Sequence, residues 1–303
     1  MKRIQVLLSS YNGAKYIQQQ LNSIFYQNDL DIFCLVRDDG STDNTCDILL
    51  ECQKKYENLE IIIGDNIGYE SSFMELVRLS GDYDYYAFSD QDDVWEPGKL
   101  KRAIEKISQS DHSKPTMYCS NCTIVDESLN VIGMLHPSKK NITPTSKINS
   151  LIEGFAHGCT IVFNKKSIDF ILSHNPMQDY SHDFWIPLLH VFFGNIIYDN
   201  NSYILYRQHS ENIFGEKRSL VDLIKLKLKF LENRKNFYSL MAKDILIGYN
   251  KYLSKQDYKL LNDISEYRSS LSKQIKLLFN KDIKRNTIRG TIVLKLLILF
   301  SKF

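Results

Sequence analysis

Short apolar runs alternate with amphipathic stretches over the first hundred residues. Ile4–Leu8, Ile32–Val36, Leu59–Ile63 and Tyr85–Phe88 are rich in aliphatic and aromatic side chains and read as strands. Between them Tyr16–Gln27, Thr45–Tyr56 and Tyr69–Leu79 place apolar residues three and four apart, as amphipathic helices do. A strand–helix unit repeated in this way predicts an α/β fold, with a mostly parallel, Rossmann-like sheet flanked by helices. Further along, a helix is expected over Lys99–Gln109. Strands are expected near Met117–Cys119, Gly158–Phe163, Ile196–Tyr198 and Tyr203–Tyr206.

The pattern changes near residue 216. Leu220–Phe237 sets Leu223, Leu226, Phe230 and Leu231 on one face, with Lys225, Lys227, Lys229, Arg234 and Lys235 around it, the pattern of a basic amphipathic helix. Residues 288–303 form an apolar segment of 16 residues interrupted by Lys295. That is short of the ~20 residues a spanning helix needs. Such a segment either lies in a membrane surface or packs on the protein as one arm of a helical hairpin. With 303 residues in all, the chain divides into an expected α/β domain, 1–215, and a helical extension, 216–303.

Charge sharpens that division. The net charge is +2, yet residues 216–303 carry 20 Lys and Arg against 8 Asp and Glu, whereas residues 1–215 carry 18 against 28. A basic, Leu- and Ile-rich tail suits an anionic membrane surface better than nucleic acid. The start, MKRIQVLLSSYNG, reads as a first strand and not a secretory signal, so the expected location is cytoplasmic, peripheral on the inner face of the cell membrane. The six Cys then read as thiols in a reducing compartment.

In doubly wound sheets, ligands bind beyond the carboxyl ends of the strands. Four polar loops fall there: Ser9–Gly13, Arg37–Ser41, Gly64–Gly68 and Ser89–Trp95, the last reading SDQDDVW. Asp90, Asp92 and Asp93 repel one another unless a cation compensates, and a hard divalent ion prefers such oxygen ligands. The same aspartates also suit the N-terminus of the helix that follows Trp95-Glu96-Pro97-Gly98. In Asp38-Asp39-Gly40-Ser41, capping of the next helix leaves one aspartate for a ligand such as the imide N–H of uracil or thymine.

Taken together, SSYNG, RDDGSTDNT, DNIG and SDQDDVW, in this order over residues 1–215, resemble the family 2 glycosyltransferases of the GT-A fold. SDQDDVW, SHDFW (181–185) and YRQHSEN (206–212) are similar to motifs of rhamnosyltransferase-like members that build bacterial surface polysaccharides. The resemblance implies an inverting sugar transferase using Mn²⁺ or Mg²⁺, a dTDP- or UDP-sugar donor and a lipid-linked glycan acceptor. It implies that Ser9, Tyr11, Asn66 and Asp38 or Asp39 meet the nucleotide. Asp90 and Asp92 correspond to the metal-holding pair, with Asp93 supporting them and His209 a further ligand; Arg207 and His209 lie by the donor phosphates, and Asp183 is the base. Gly154–Thr160 matches an acceptor-side glycine loop, which by itself also reads as a tight turn before a strand.

Other classes fit less well. A nucleotidyltransferase calls for a Gly-rich, basic loop after the first strand, and SSYNGAKY is not one. A non-catalytic glycan-assembly subunit would have lost the acidic residues. Thymine and uracil donors, or rhamnose and a hexose, are not separated by these loops, and oligomer formation is left open.

Overall fold

The computed structural model describes residues 1–111, 113–137, 142–144, 146–208, 236–285 and 287–303. The chain forms two compact units. One comprises Met1–Thr143, Phe155–Ser173 and Gln178–His209; the other comprises Pro144–Gly154, His174–Met177 and Ser210–Phe303.

The first unit is built on a nine-stranded sheet. β1 (Arg3–Ser10), β2 (Asp31–Asp38), β3 (Leu59–Ile63) and β4 (Tyr85–Ser89) are mutually parallel in the order β3-β2-β1-β4. Buried on both faces, β1 and β4 read as continuous apolar runs. The connecting helices α1 (Ile17–Phe25), α2 (Thr45–Lys55) and α3 (Tyr69–Arg78) follow the predicted spans to within two residues at each end. α1 buries Ile17, Leu21 and Ile24, one apolar stripe at helical spacing. β1 has β2 on one side and β4 on the other, so the connections leave it in opposite directions. The loops after β1, β2 and β4 therefore open at one crevice.

Beyond β4 the sheet becomes mixed. β5 (Val94–Trp95), α4 (Lys99–Ser108), β6 (Thr116–Val125) and β7 (Val131–Met134) come next in the chain. In the second unit α5 spans Lys147–Ile152; the first unit resumes with β8 (Val162–Asn164), α6 (Lys165–Leu172), α7 (His182–Phe193) and β9 (Asn195–Arg207). β8 runs antiparallel to β4 and β6, and β9 runs parallel to β6.

Three features differ from the expectations. The two strands expected near 196–198 and 203–206 are one strand, β9. Its polar centre is absorbed as a bulge, with Asp199 accepting from the Asn201 N–H and the Thr123 N–H donating to Ser202 Oγ, while the register on β6 slips. Gly158–Thr160 is a 3₁₀ turn ahead of β8. α7 was absent from the pattern because Trp185, Ile186, Leu188, Leu189 and Phe192 are all buried, which leaves no polar face to reveal a helical period.

In the second unit, α8 (Phe237–Tyr249), α9 (Lys255–Ser265), α10 (Leu271–Leu278) and α11 (Ile288–Leu299) surround a core that includes Met241, Ile245, Tyr249, Leu261, Ile264, Tyr267 and Phe303. Inserted segments join it. Lys147 pairs with Asp257 at 2.8 Å, Arg285 Nη2 donates to the Ile152 carbonyl, and the Met177 N–H donates to buried Asp244. Among the described residues no helix is long and apolar enough to cross a membrane. The expected basic helix over 220–237 lies outside the described residues except at its end.

Candidate active site

The first two loops are laced together by backbone donors. Asn12 N–H donates to Ser41 Oγ, Gly13 N–H to Thr45 Oγ1 and Ala14 N–H to Asp43. Asp38 is wholly buried and receives four donors: Ser10 Oγ, the Ser41 N–H and hydroxyl, and Cys46 Sγ. Four donors fill a carboxylate. Asp39 Oδ1 accepts from Arg37 and the Ile67 N–H, and Oδ2, among the described residues, from the Gly68 N–H alone. One acceptor position on Asp39 Oδ2 remains. Gly40 sits at φ +76°, and a Cβ there would meet the Asn66 nitrogen at 2.9 Å, so only glycine lets the second and third loops close on each other.

Gln91 ties the acidic motif to the first loop, accepting from the Tyr11 N–H at 2.8 Å and donating to the Tyr11 carbonyl at 3.0 Å. A side chain at Gly13 would collide with Gln91. β5 hydrogen-bonds to β9, and Arg207 at the end of β9 is buried. The Arg207 N–H donates to Asp93 Oδ1, Nε to the Asp92 carbonyl, Nη1 to the Glu127 carbonyl and Nη2 to Gln19, while the guanidinium lies over Tyr16. These donors clamp the loop that carries the aspartates, the loop beside which the sequence resemblance sets the donor phosphates.

Burial first, then the charges of Asp92 and Asp183, push the Asp90 carboxyl up to about 7. These three carboxylates thus come from the loop after β4 and from the first turn of α7. Potential ligand atoms of Asp90, Asp93 and Cys159 also lie within 4.8 Å of one another. Burial, then Asp92 and Asp90, raises Asp93 well above the carboxylate range; a hydrogen bond with Cys122, followed by burial, raises Cys159. Cys159 therefore keeps its proton at neutral pH and is a poor cation ligand, whereas Asp90 gives its proton up near neutrality. Clustered acceptors that repel one another in an otherwise buried corner fit a hard divalent ion. Behind them Lys99 is buried with its Nζ 3.8 Å from the Trp95 ring centroid, and burial lowers it to about 8.

Asp183 stands in the first turn of α7 and accepts from Ser181 Oγ. The preceding His182 is buried against Phe73 and Phe88, with ring centroids 3.8 and 4.6 Å away. Burial depresses it to about 4, so it is neutral. A Cβ on Gly158 would lie 2.1 Å from His182 Nε2. The glycine thus seats the residue beside Asp183. His157 was not singled out in the sequence; burial lowers it and the Asp183 charge opposes that shift, so its ring belongs to the same neighbourhood. Its only sequence signal was its place in the glycine loop.

Of the other expected residues, Ser9 is half-buried and hydrogen-bonds Ser72 Oγ at 2.7 Å, while Tyr11 and Asn66 are exposed at the crevice loops. His209 lies outside the described residues.

A model of the family described as Glycosyl transferase family 2 matches residues 5–172. The chain is similar to the dTDP-rhamnosyl transferase RfbG of Shigella flexneri, at 31% identity over 224 residues, covering 69% of this chain and 73% of that protein. It is also similar to an uncharacterized glycosyltransferase of a Nostoc species, at 36% identity over 111 residues, 36% of this chain and 34% of that one. TarS residues 1–349 of S. aureus, solved in complex with UDP-GlcNAc, match with a TM-score of 0.58 at 17% identity, covering 93% of this chain and 77% of that one. The UDP complex of the same protein matches with a TM-score of 0.57 at 18% identity, covering 93% and 76%. This likeness shows the shared GT-A fold.

Proposed function

Since the chain belongs to glycosyltransferase family 2, we propose that it transfers L-rhamnose from dTDP-rhamnose to a lipid-linked glycan by a single inverting displacement in cell-surface polysaccharide synthesis. The observation that carries this reading is the meeting of Asp90, Asp92 and Asp183, with Asp90 pushed to about 7, beside a crevice where β1 separates β2 from β4. The rhamnosyl choice is supported by the Shigella relative and by the SDQDDVW, SHDFW and YRQH motifs. A UDP-hexose is the second reading, favoured by the UDP-GlcNAc in the TarS complex.

In this proposal the imide N–H of the base donates to the remaining acceptor position on Asp39 Oδ2, and Asp38 holds the loop. Ser9, Tyr11 and Asn66 border the nucleotide. Asp90 and Asp92, with His209, would hold Mn²⁺ or Mg²⁺, which when bound would supply positive charge for the departing diphosphate. Arg207 keeps Asp92 and Asp93 in place. Asp183 accepts the proton of the acceptor hydroxyl as its oxygen bonds to the anomeric carbon, and the bond from that carbon to the diphosphate breaks. Neutral His182 leaves the carboxylate as the proton acceptor.

Donor consumption should be measured across a panel of dTDP- and UDP-sugars, with and without Mn²⁺. Turnover of dTDP-rhamnose alone, abolished by chelation, is expected. Preference for a UDP-hexose replaces the donor, and activity indifferent to chelation removes the metal.

A further inference from the structure

The last two helices carry a surface that sugar transfer does not explain. α10 buries Leu277, and α11 buries Leu294 and Ile298. About half a turn around each helix from these residues runs a second apolar stripe. It consists of Leu271, Ile275 and Phe279 on α10 and of Ile288, Ile292, Leu296, Leu299 and Phe300 along and just beyond α11, all between 44 and 83% exposed. Gln274 Nε2 donates to the carbonyls of Ile298 and Leu299, and Lys295 Nζ to that of Asn280, so the start of one helix meets the end of the other. The arms form an antiparallel hairpin with both stripes turned away from its buried side. Singly scattered apolar residues need no explanation, but eight on adjoining helices mark a docking surface.

The charges identify the occupant. Residues 270–303 hold eight Lys and Arg against Asp282 as the single acid. Lys281, Lys284, Arg289 and Lys302 are exposed, whereas Lys276 is paired with Asp263. A second copy seated on this surface would set cation against cation; an anionic bilayer satisfies charge and apolar area together. The 12 residues of α11 rise about 18 Å, well short of the ~30 Å hydrocarbon core, so the helix lies along an interface and does not span it.

We propose that the α10–α11 hairpin is a docking surface for an anionic lipid bilayer, its stripes resting at the acyl boundary and its cations among the headgroups. This extends the expectation for residues 288–303 to a two-helix face and does not depend on which sugar is transferred.

The full chain, sedimented with vesicles of phosphatidylcholine alone or mixed with phosphatidylglycerol, tests it. Binding to the mixed vesicles that weakens with salt is expected. The doubly exposed change Phe279→Ser/Phe300→Ser should reduce partitioning at least ~10-fold with an unchanged circular dichroism spectrum. Lys281→Glu/Lys284→Glu should lower binding to mixed vesicles only. Parent protein that fails to bind, or serine variants that bind equally, overturns the proposal. So does equal binding to neutral vesicles. A dimer in sedimentation equilibrium that is lost in the serine variants, without vesicle binding, would assign the surface to a second copy.

Discussion

At the residue scale the proposed chemistry rests on three carboxylates with different surroundings. Asp183→Asn should lower turnover by about 10²- to 10⁴-fold while donor affinity, read by calorimetry, stays within a few-fold. For Asp90 the folded-state carboxyl titrates near 7, above the 3.8 of a free one. The native state therefore binds the extra proton between those values, and stability falls as pH rises through the window. A divalent cation competes with that proton. Mn²⁺ is accordingly expected to raise Tm more at pH 7.5 than at pH 5.5, and Asp90→Asn should flatten the difference in differential scanning fluorimetry. An equal shift at both pH values would remove Asp90 as a ligand. Gly158→Ala drives a methyl group into His182. It should cost about 1–3 kcal/mol by thermal denaturation and lower kcat more than it raises KM. Adding His182→Ala should recover part of the stability, since the two residues share one clash.

Elements matter here through what they bring to the loops between them. β9 reaches the acidic motif by pairing with β5 and ends on Arg207, whose four donors hold Asp92, Asp93, Glu127 and Gln19. Arg207→Lys keeps the charge but loses the planar fork, taking the guanidinium donors from the part-buried carbonyls of Asp92 and Glu127 and from Gln19. The expected cost is on the order of 3 kcal/mol in urea denaturation, with weaker Mn²⁺ binding. Loss of donor affinity at unchanged stability would instead return Arg207 to the phosphates. The alternation of strands and helices through β4 was legible because apolar period is a local property. β9 and α7 were less so: a polar bulge interrupts the first, and burial on all sides erases the helical period of the second.

At the scale of the whole molecule, the second compact unit draws residues 144–154 and 174–177 from within the span of the first. Lys147, Ile152 and Met177 find their partners at Asp257, Arg285 and Asp244. Ending the chain at residue 215 removes those partners. Such a truncation should lose cooperative unfolding or aggregate, as read by scanning calorimetry, whereas a freely separable extension predicts an unchanged melting transition. The expected division at 216 followed composition and charge, which report a change of environment along the chain but not which earlier segments return to it.

The sequence by itself determined the α/β class, the four strand-end loops and the family, because apolar period and ordered polar motifs are properties of neighbouring residues. Tertiary structure alone decided the fate of the individual groups. It filled Asp38 and left an acceptor position on Asp39, spent Arg207 on the loop it braces, seated His182 against Gly158 and turned an apolar stripe of α11 outward. Those outcomes depend on how many donors reach each acceptor and on which residues distant in the chain meet, and such contacts exist only once the chain has closed upon itself.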